Sequence, residues 1–365
     1  MSRARSLPIA ALLLAAVLAT AGCAGGGSAS AATAPSDESL ARAAASAFLD
    51  RYLEADGRVV RRDQGGDTVS EGQSYAMLLT AATGDEARFT SIWSWTKANL
   101  QRPDGLLSWS WHDGRISDPQ PATDADLDAA QALVLAGRRF SQPQLTADGQ
   151  RIGRAVLAGE TATDGQGRRL LVAGPWAVSG EIVNPSYFSP RAYSALAATG
   201  DEPAWHALHE QALSSTADLL SQSPLPPDWA RAQSALHAQA IASPGGAAGP
   251  PSYGFDAARV AIRMGSACDS ASRAVAARLW PVLSGGDDQL LPRRLDGAAD
   301  GGAVRNPVAL VGAAGAAKAA GRPADVSRLL DAAAAQDRST PTYYGAAWVA
   351  LGRVLLTTDL AGRCA

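Results

Sequence analysis

Ala82-Thr83-Gly84-Asp85-Glu86 recurs unchanged as Ala198-Thr199-Gly200-Asp201-Glu202, and a looser copy stands at Ala320-Gly321-Arg322-Pro323-Ala324-Asp325. Each copy closes one apolar pattern of helical spacing and opens another. The first two run on into aromatic residues, Phe89 and Trp93 in one case and Trp205 in the other. Glycine ends a helix in the left-handed conformation and aspartate caps the next, so the motif predicts repeated helical hairpins. Working outward, apolar residues keep a helical period at Ala45, Phe48, Leu49 and Tyr52, and at Tyr75, Leu78, Leu79 and Ala82. The same period returns at Ala257, Val260, Ala261 and Met264, at Val326, Leu329, Leu330 and Ala333, and at Tyr344, Ala347, Trp348 and Leu351. Alternating Val/Ile/Thr stretches are scarce, and Leu170 to Val178 is the best candidate for a short strand. No Pro/Gly/Ser linker divides the body, so a single all-helical domain is expected over residues 36–365.

The chain has 365 residues, 47% hydrophobic and 18% charged, with a net charge of -3. That apolar content fills a sizeable core and excludes general disorder. The near-neutral balance argues against a nucleic-acid partner. Three cysteines are too few for a disulfide-built mini-fold or a four-cysteine zinc site. At the N-terminus, Arg3 and Arg5 precede an apolar run from Leu7 to Ala19 and then Thr20-Ala21-Gly22-Cys23. This reads as an export signal over residues 1–22, too short for a membrane span. Cys23 resembles a bacterial lipoprotein attachment site, with a Gly/Ser/Ala-rich tether over residues 23–35. A lipid there would anchor the protein to the outer face of the cytoplasmic membrane. The alternative is cleavage without lipid and a secreted protein. In an oxidising compartment Cys268 and Cys364 are expected to pair and pin the C-terminus to the body; otherwise they are two small apolar fillers.

Three segments carry chemistry: Thr68-Val69-Ser70-Glu71-Gly72-Gln73-Ser74-Tyr75, Ala122-Thr123-Asp124-Ala125-Asp126-Leu127-Asp128, and Ser252-Tyr253-Gly254-Phe255-Asp256-Ala257-Ala258-Arg259-Val260. Each sets a carboxylate at the start of a helical pattern. Taken singly, such carboxylates are most simply caps. Thr68 with Glu71, or Ser70 with Gln73, fits a capping box, and an acid in a first turn gains about 0.3–1 kcal/mol from the helix dipole. The Asp124/Asp126/Asp128 run suggests a calcium loop, but Ala129 stands where the turn glycine belongs and Leu135 where the bidentate glutamate belongs. Asp256 can simply pair with Arg259 one turn on.

The aromatic composition shifts the balance. Trp93, Trp95, Trp109 and Trp111 lie between the first two segments, and Trp229 follows Pro226-Pro227-Asp228 ahead of the third. Flat aromatic faces beside carboxylates suit the apolar faces of pyranose rings. Trp93 and Trp95 are assigned to helix packing. Trp109 and Trp111 share one side of the segment Leu107-Ser108-Trp109-Ser110-Trp111 and are the better platforms.

Thr68-Val69-Ser70-Glu71-Gly72-Gln73, followed by Tyr75, Met77, Leu78 and Leu79, resembles the first signature of glycoside hydrolase family eight. Ala122 to Asp126, through Ala136 and Phe140, resembles the second. Asn184-Pro185-Ser186-Tyr187-Phe188, Pro226-Pro227-Asp228-Trp229 and Phe255-Asp256-Ala257-Ala258-Arg259-Val260 match further family segments in order. The resemblance covers nearly the whole chain after the tether. It implies an (α/α)6 barrel, six inner and six outer helices with a cleft across one end, and twelve helix-plus-loop units of roughly 27 residues each fit the length. It also implies an inverting endo-β-1,4-glucanase acting on a polysaccharide without metal or cofactor, and expected here to be a monomer. By the same resemblance Glu71 is the general acid, Asp256 the general base, and Asp124 the residue that grips the sugar at the cleavage point. Trp109, Trp111, Trp229, Tyr187 and Arg259 are expected to bind substrate or hold the acids in place. Phe255 stands where many members have tyrosine, Ser74 and Ala76 replace small residues of the first signature, and Ala129 replaces a larger one in the second.

Several alternatives stand beside this reading. One is a xylanase, lichenase or chitosanase of the same family; another is a weakened carbohydrate-binding protein linked to exopolysaccharide assembly. A structural lipoprotein leaves the tryptophan-rich loops unexplained, and a lyase would call for a Tyr, His or Arg proton shuttle. His206 and His209 share a helix face without a further ligand, and no Gly-rich phosphate loop is present.

Overall fold

The structure, a computed structural model, describes residues 35–246, 249–285 and 289–364. The expected export signal, Cys23 and the tether up to residue 34 lie outside the described residues. The helices are α1 (Asp37–Tyr52), α2 (Ser70–Thr83), α3 (Glu86–Asn99), α4 (Thr123–Arg139), α5 (Pro143–Gly159), α6 (Pro190–Ala197) and α7 (Glu202–Gln222). They continue with α8 (Ala258–Gly265), α9 (Ser270–Ala277), the one-turn α10 (Trp280–Leu283), α11 (Pro307–Ala319), α12 (Pro323–Ser339) and α13 (Tyr343–Thr357).

Among the described residues, α2, α4, α6, α8, α11 and α13 touch in sequence, and α13 returns to α2 to close the ring. Outside it, α3 lies on α2, α5 on α4, α7 on α6, α9 on α8, α12 on α11 and α1 on α13. This is the (α/α)6 barrel. Burial follows the layers. Every side chain of α2 from Gln73 to Ala82 is buried, as is α11 from Pro307 to Ala317, which is the pattern of helices enclosed on all sides. The outer α12 buries a stripe at Val326, Leu329, Leu330 and Ala333 and leaves its other face to solvent.

The repeated motif makes the hairpins in three different ways. Gly84 ends α2 at a φ of 80°, and the Asp85 carboxylate accepts from the Arg88 N–H to start α3. In the second copy Asp201 itself takes the left-handed φ of 55° and caps nothing. Aspartate tolerates that region, and Pro203 in the first turn begins α7. In the third, Gly321 turns the chain at a φ of 69° and Pro323 opens α12.

Inner helix α8 meets α11 backbone to backbone. A Cβ at Gly312 would stand 2.7 Å from the Ala258 carbonyl, and one at Gly315 would stand 2.5 Å from that of Ala261. A Cβ at Gly265 would strike the Gly315 carbonyl. Because each hairpin reverses the chain, the inner helices run parallel and all begin at one end of the ring.

That end carries short antiparallel sheets between helices. They are β1 (Thr68–Val69), β2 (Ser110–His112) and β3 (Arg115–Asp118); β4 (Thr161–Thr163) and β5 (Arg169–Leu171); β6 (Ile182–Val183), β7 (Trp229–Ala232) and β8 (Ala238–Ile241); and β9 (Ser252–Tyr253), β10 (Leu290–Arg294) and β11 (Ala299–Arg305). The strand expected over Leu170 to Val178 is shorter than its apolar run: β5 ends at Leu171, and Pro175–Gly180 closes into a 3-10 helix. Proline at the head of that turn removes the N–H a ladder would need.

Cys268 and Cys364 form the expected disulfide, tying the tail beyond α13 to the loop before α9. Arg191 of α6 reinforces the tie, donating to the carbonyls of Ala361 (3.0 Å) and Gly362 (2.7 Å). The bridge closes a loop of 96 residues, so its removal by Cys268→Ser and Cys364→Ser is expected to cost about 2–4 kcal/mol. Denaturant unfolding of the double variant, compared with wild type with and without reductant, checks this. Among the described residues no helix is long and apolar enough to cross a membrane.

Candidate active site

The capping readings of the first segment are replaced by other duties. The N-cap of α2 is Val69, whose side chain caps nothing. Thr68 donates its hydroxyl to the Val59 carbonyl (2.8 Å), and the Ser70 N–H goes to the Trp109 carbonyl (2.9 Å). Gln73 reaches backward: it accepts from the Val59 N–H (2.6 Å) and donates to Gly57 and to Thr96 Oγ1. Glu71 is thereby free of cap duty. Its Oε2 takes the Trp109 indole N–H at 3.3 Å, and its Oε1 lies 3.6 Å from Arg259 Nη1. Burial and then the charge of Asp124 push its carboxyl up to about 8, against the pull of Arg259. The next residue has to be glycine, because the Tyr343 hydroxyl occupies the place of a Cβ at Gly72.

The acidic run of the second segment lies on α4, so its three carboxylates part company rather than converge on an ion. Asp124 is buried; its Oδ2 meets Arg259 Nη1 at 2.7 Å. Burial raises its pKa, while Arg259 and Arg263 oppose the rise. Asp128 pairs with Arg263 through both oxygens, at 2.6 and 2.8 Å. Asp126 accepts the Leu107 N–H (2.9 Å) and faces the equally buried Glu160. Among the described residues, Asp126 Oδ2 and both Glu160 oxygens make no hydrogen bond of ordinary geometry, although the Thr123 side chain lies near enough to Glu160 to favour its charged form slightly. Burial first, and then the charge of Asp126, drives Glu160 well above the usual carboxylate range.

A raised folded-state pKa means that folding holds a proton the unfolded chain has released. Stability from this pair is therefore full below the ordinary glutamate pKa and falls as pH rises above it. Glu160→Gln, whose amide can donate to Asp126, is expected to melt higher than wild type at pH 8, with the gap closing by pH 4. Melting curves at both pH values test this.

The third segment supplies the junction. Asp256 Oδ1 lies 2.7 Å from Arg259 Nη2, and its Oδ2 accepts the Asn184 amide at 2.9 Å. Arg259 is fully buried, with its guanidinium between the rings of Tyr187 (5.5 Å) and Trp348 (5.9 Å) and its Nη1 3.2 Å from the Tyr75 hydroxyl. The local pair with Asp256 thus exists, but the same guanidinium also holds Asp124 and faces Glu71. Three acids from distant segments converge on one cation.

Above them lies a cleft of about 700 Å³, lined among others by Glu71, Asp256, Trp109, Tyr187, Trp229 and Trp176. Trp229 stands edge-on to Tyr187 (6.3 Å) and tilts against Trp176 (6.0 Å). The Arg61 guanidinium backs the Trp109 ring at 5.9 Å. Trp176, 41% exposed, escaped the sequence reading; its only signal is a lone tryptophan in a Gly-Pro turn. Trp111, expected to share a face with Trp109, does not line the cleft. It packs edge-on against Trp95 (5.3 Å) beneath Arg58. β2 itself is regular, since it pairs in step with β1 and the extra residue in its pairing with β3 is Ser117 on β3; the two rings part at their contacts, Trp109 at Glu71 and Trp111 at Trp95. A second hollow of about 600 Å³, near the disulfide, holds His206, His209 and Trp205 but none of the three acids.

The family description "Glycosyl hydrolases family 8" matches residues 25–350. A "probable endoglucanase" of Novacetimonas hansenii is 38% identical over 226 residues, 59% of this chain and 64% of that protein. An endoglucanase of Xanthomonas axonopodis pv. citri (strain 306) is 35% identical over 205 residues, 50% of this chain and 51% of that one. The aligned stretch therefore spans less than two thirds of either relative's length. Among solved structures, an endo-beta-1,4-glucanase from Acetobacter xylinum superposes with a TM-score of 0.70 at 29% identity, covering 87% of this chain and 98% of that one.

Proposed function

The chain belongs to family 8 of the glycosyl hydrolases, and from that membership we propose that it hydrolyses internal β-1,4 linkages of a cellulose-like glucan in one inverting displacement. The observation that carries this reading is the convergence of Glu71, Asp124 and Asp256 on Arg259 beneath an aromatic cleft. Glu71, pushed up to about 8 by burial and Asp124, keeps its proton at neutral pH and delivers it to the leaving glycosidic oxygen. Asp256 is held through one oxygen by Arg259 and through the other by Asn184, while about a third (32%) of its side chain stays open. It takes a proton from water as that oxygen attacks the anomeric carbon and the carbon–oxygen bond to the leaving sugar breaks. Asp124 steadies the oxocarbenium-like transition state. Inverting pairs stand about 6.5–9.5 Å apart to leave room for the attacking water, and retaining pairs about 5–5.5 Å; the inverting course is proposed from the family membership.

Reducing-sugar release from carboxymethylcellulose, lichenan, xylan and chitosan tests the substrate, with carboxymethylcellulose expected to be cleaved best. A clear preference for another of the four moves the enzyme to that activity, and no release from any of them overturns the proposal. NMR of the first products is expected to show the α-anomer. The proposal also places the enzyme outside the cytoplasm as a monomer attached through a lipid on Cys23. Fractionation of cells making wild type or Cys23→Ser is expected to move the variant from the membrane to the soluble fraction.

A further inference from the structure

We infer that Asp228 is the positioning residue that aims the proposed base Asp256, by clamping the backbone on both sides of it. The inference rests on the proposed hydrolysis and assigns a role to a carboxylate that the mechanism above leaves unused. Asp228 Oδ1 accepts the N–H of Gly254 at 3.0 Å and that of Ala257 at 2.7 Å, the residues two before and one after Asp256. The Asp228 N–H donates in turn to the Ser252 carbonyl at 2.8 Å. One residue thus makes three hydrogen bonds to a segment six residues long, and Asp256 is on it.

Gly254 shows how close the clamp is. A Cβ there would strike Asp228 Oδ2 and stand 3.0 Å from its Cγ, so glycine alone lets the loop lie against the carboxyl. Asp228 does not line the cleft. It acts from behind the base, and its neighbour Trp229 forms the cleft wall, so sugar platform and base are carried by the same clamped loop. Burial and then the charge of Asp256 push Asp228 up to about 7, as expected of a carboxyl held close behind another.

Loss of the clamp leaves Asp256 misaimed by a fraction of its length, and misplacement of about 1 Å costs on the order of 10²-fold in rate. Asp228→Ala is therefore expected to lower kcat on carboxymethylcellulose about 10–100-fold with KM within about twofold. Asp228→Asn keeps the accepting oxygen and is expected to recover most of the loss. A double-mutant cycle isolates the coupling: in an Asp256→Ala background, Asp228→Ala should cost less than about twofold. Should Asp228→Ala fail to fold, Gly254→Ala displaces the same carboxyl from the other side and must reproduce the kcat loss. A wild type without turnover would overturn the hydrolase reading and this role together. An active wild type with Asp228→Ala within twofold of it, no recovery in Asp228→Asn, or an equal loss with and without Asp256 would overturn the role of Asp228 alone.

Discussion

Glu71→Gln is expected to remove about 10²–10⁴ of the turnover while leaving the protein folded. The amide keeps the shape of the side chain and its contact with the Trp109 indole, but has no proton to deliver. The same change should also alter stability, in the opposite sense. With its carboxyl pushed up to about 8 by burial and Asp124, wild-type Glu71 is protonated in the fold at pH values where the unfolded chain has ionised it. Stability from this site is full below the ordinary glutamate pKa and is lost as pH climbs toward 8. Glu71→Gln escapes that loss and should melt above wild type at pH 8, with little difference at pH 4. In the wild type, kcat should fall on the alkaline side as Glu71 gives up its proton. A pH–rate profile and paired melting curves measure both effects, and full activity in the variant would remove Glu71 from its role.

Arg259→Met is expected to be the most damaging substitution outside the acids. The methionine fills part of the space between Tyr187 and Trp348 but leaves Asp124 buried without its cation and Asp256 without one of its two partners. Stripping one side of a buried ion pair costs about 3–5 kcal/mol, and turnover should fall to background because both acids lose their aim. The deficit has a pH signature. Without Arg259, buried Asp124 can be neutral only by taking a proton, so the variant should regain stability relative to wild type as pH falls from 8 to 5. Denaturant unfolding at the two pH values tests this; a constant deficit would mean that the arginine contributes packing rather than charge.

The part of this molecule legible in the sequence is the part written locally. Helices α1 and α12 show in apolar spacing because one buried face repeats every turn, α2 and α13 show because their largest apolar residues keep the same period although nearly every side is buried, and the Gly84 hairpin shows because only a few residues take that backbone. Glu71, Asp124 and Asp256 stand out as candidates in the sequence because each opens an inner helix inside an ordered motif. Their convergence was not legible: Arg259 looks like a partner for Asp256 alone until α4 and α2 are brought beside it. The strands of the cleft end span two to seven residues, too few for alternation to register, and Trp111, which alternation places beside Trp109, is taken up by Trp95 and Arg58 instead. Trp176 is invisible for a related reason, since a single ring in a turn has no periodic company.

The seam between α8 and α11 bears on how this protein can be engineered. Replacing glycine by alanine commonly stabilises a chain by restricting its unfolded state, and a helix-rich protein with 36 glycines invites that strategy. Positions 265, 312 and 315 are closed to it, because the first methyl group added there meets a carbonyl of the facing helix. The wall would have to spread, and Arg259, which lies between the contacted Ala258 and Ala261 on α8, would drift from the acids it gathers. A library aimed at heat tolerance should draw its sites from the outer ring and treat this contact as fixed.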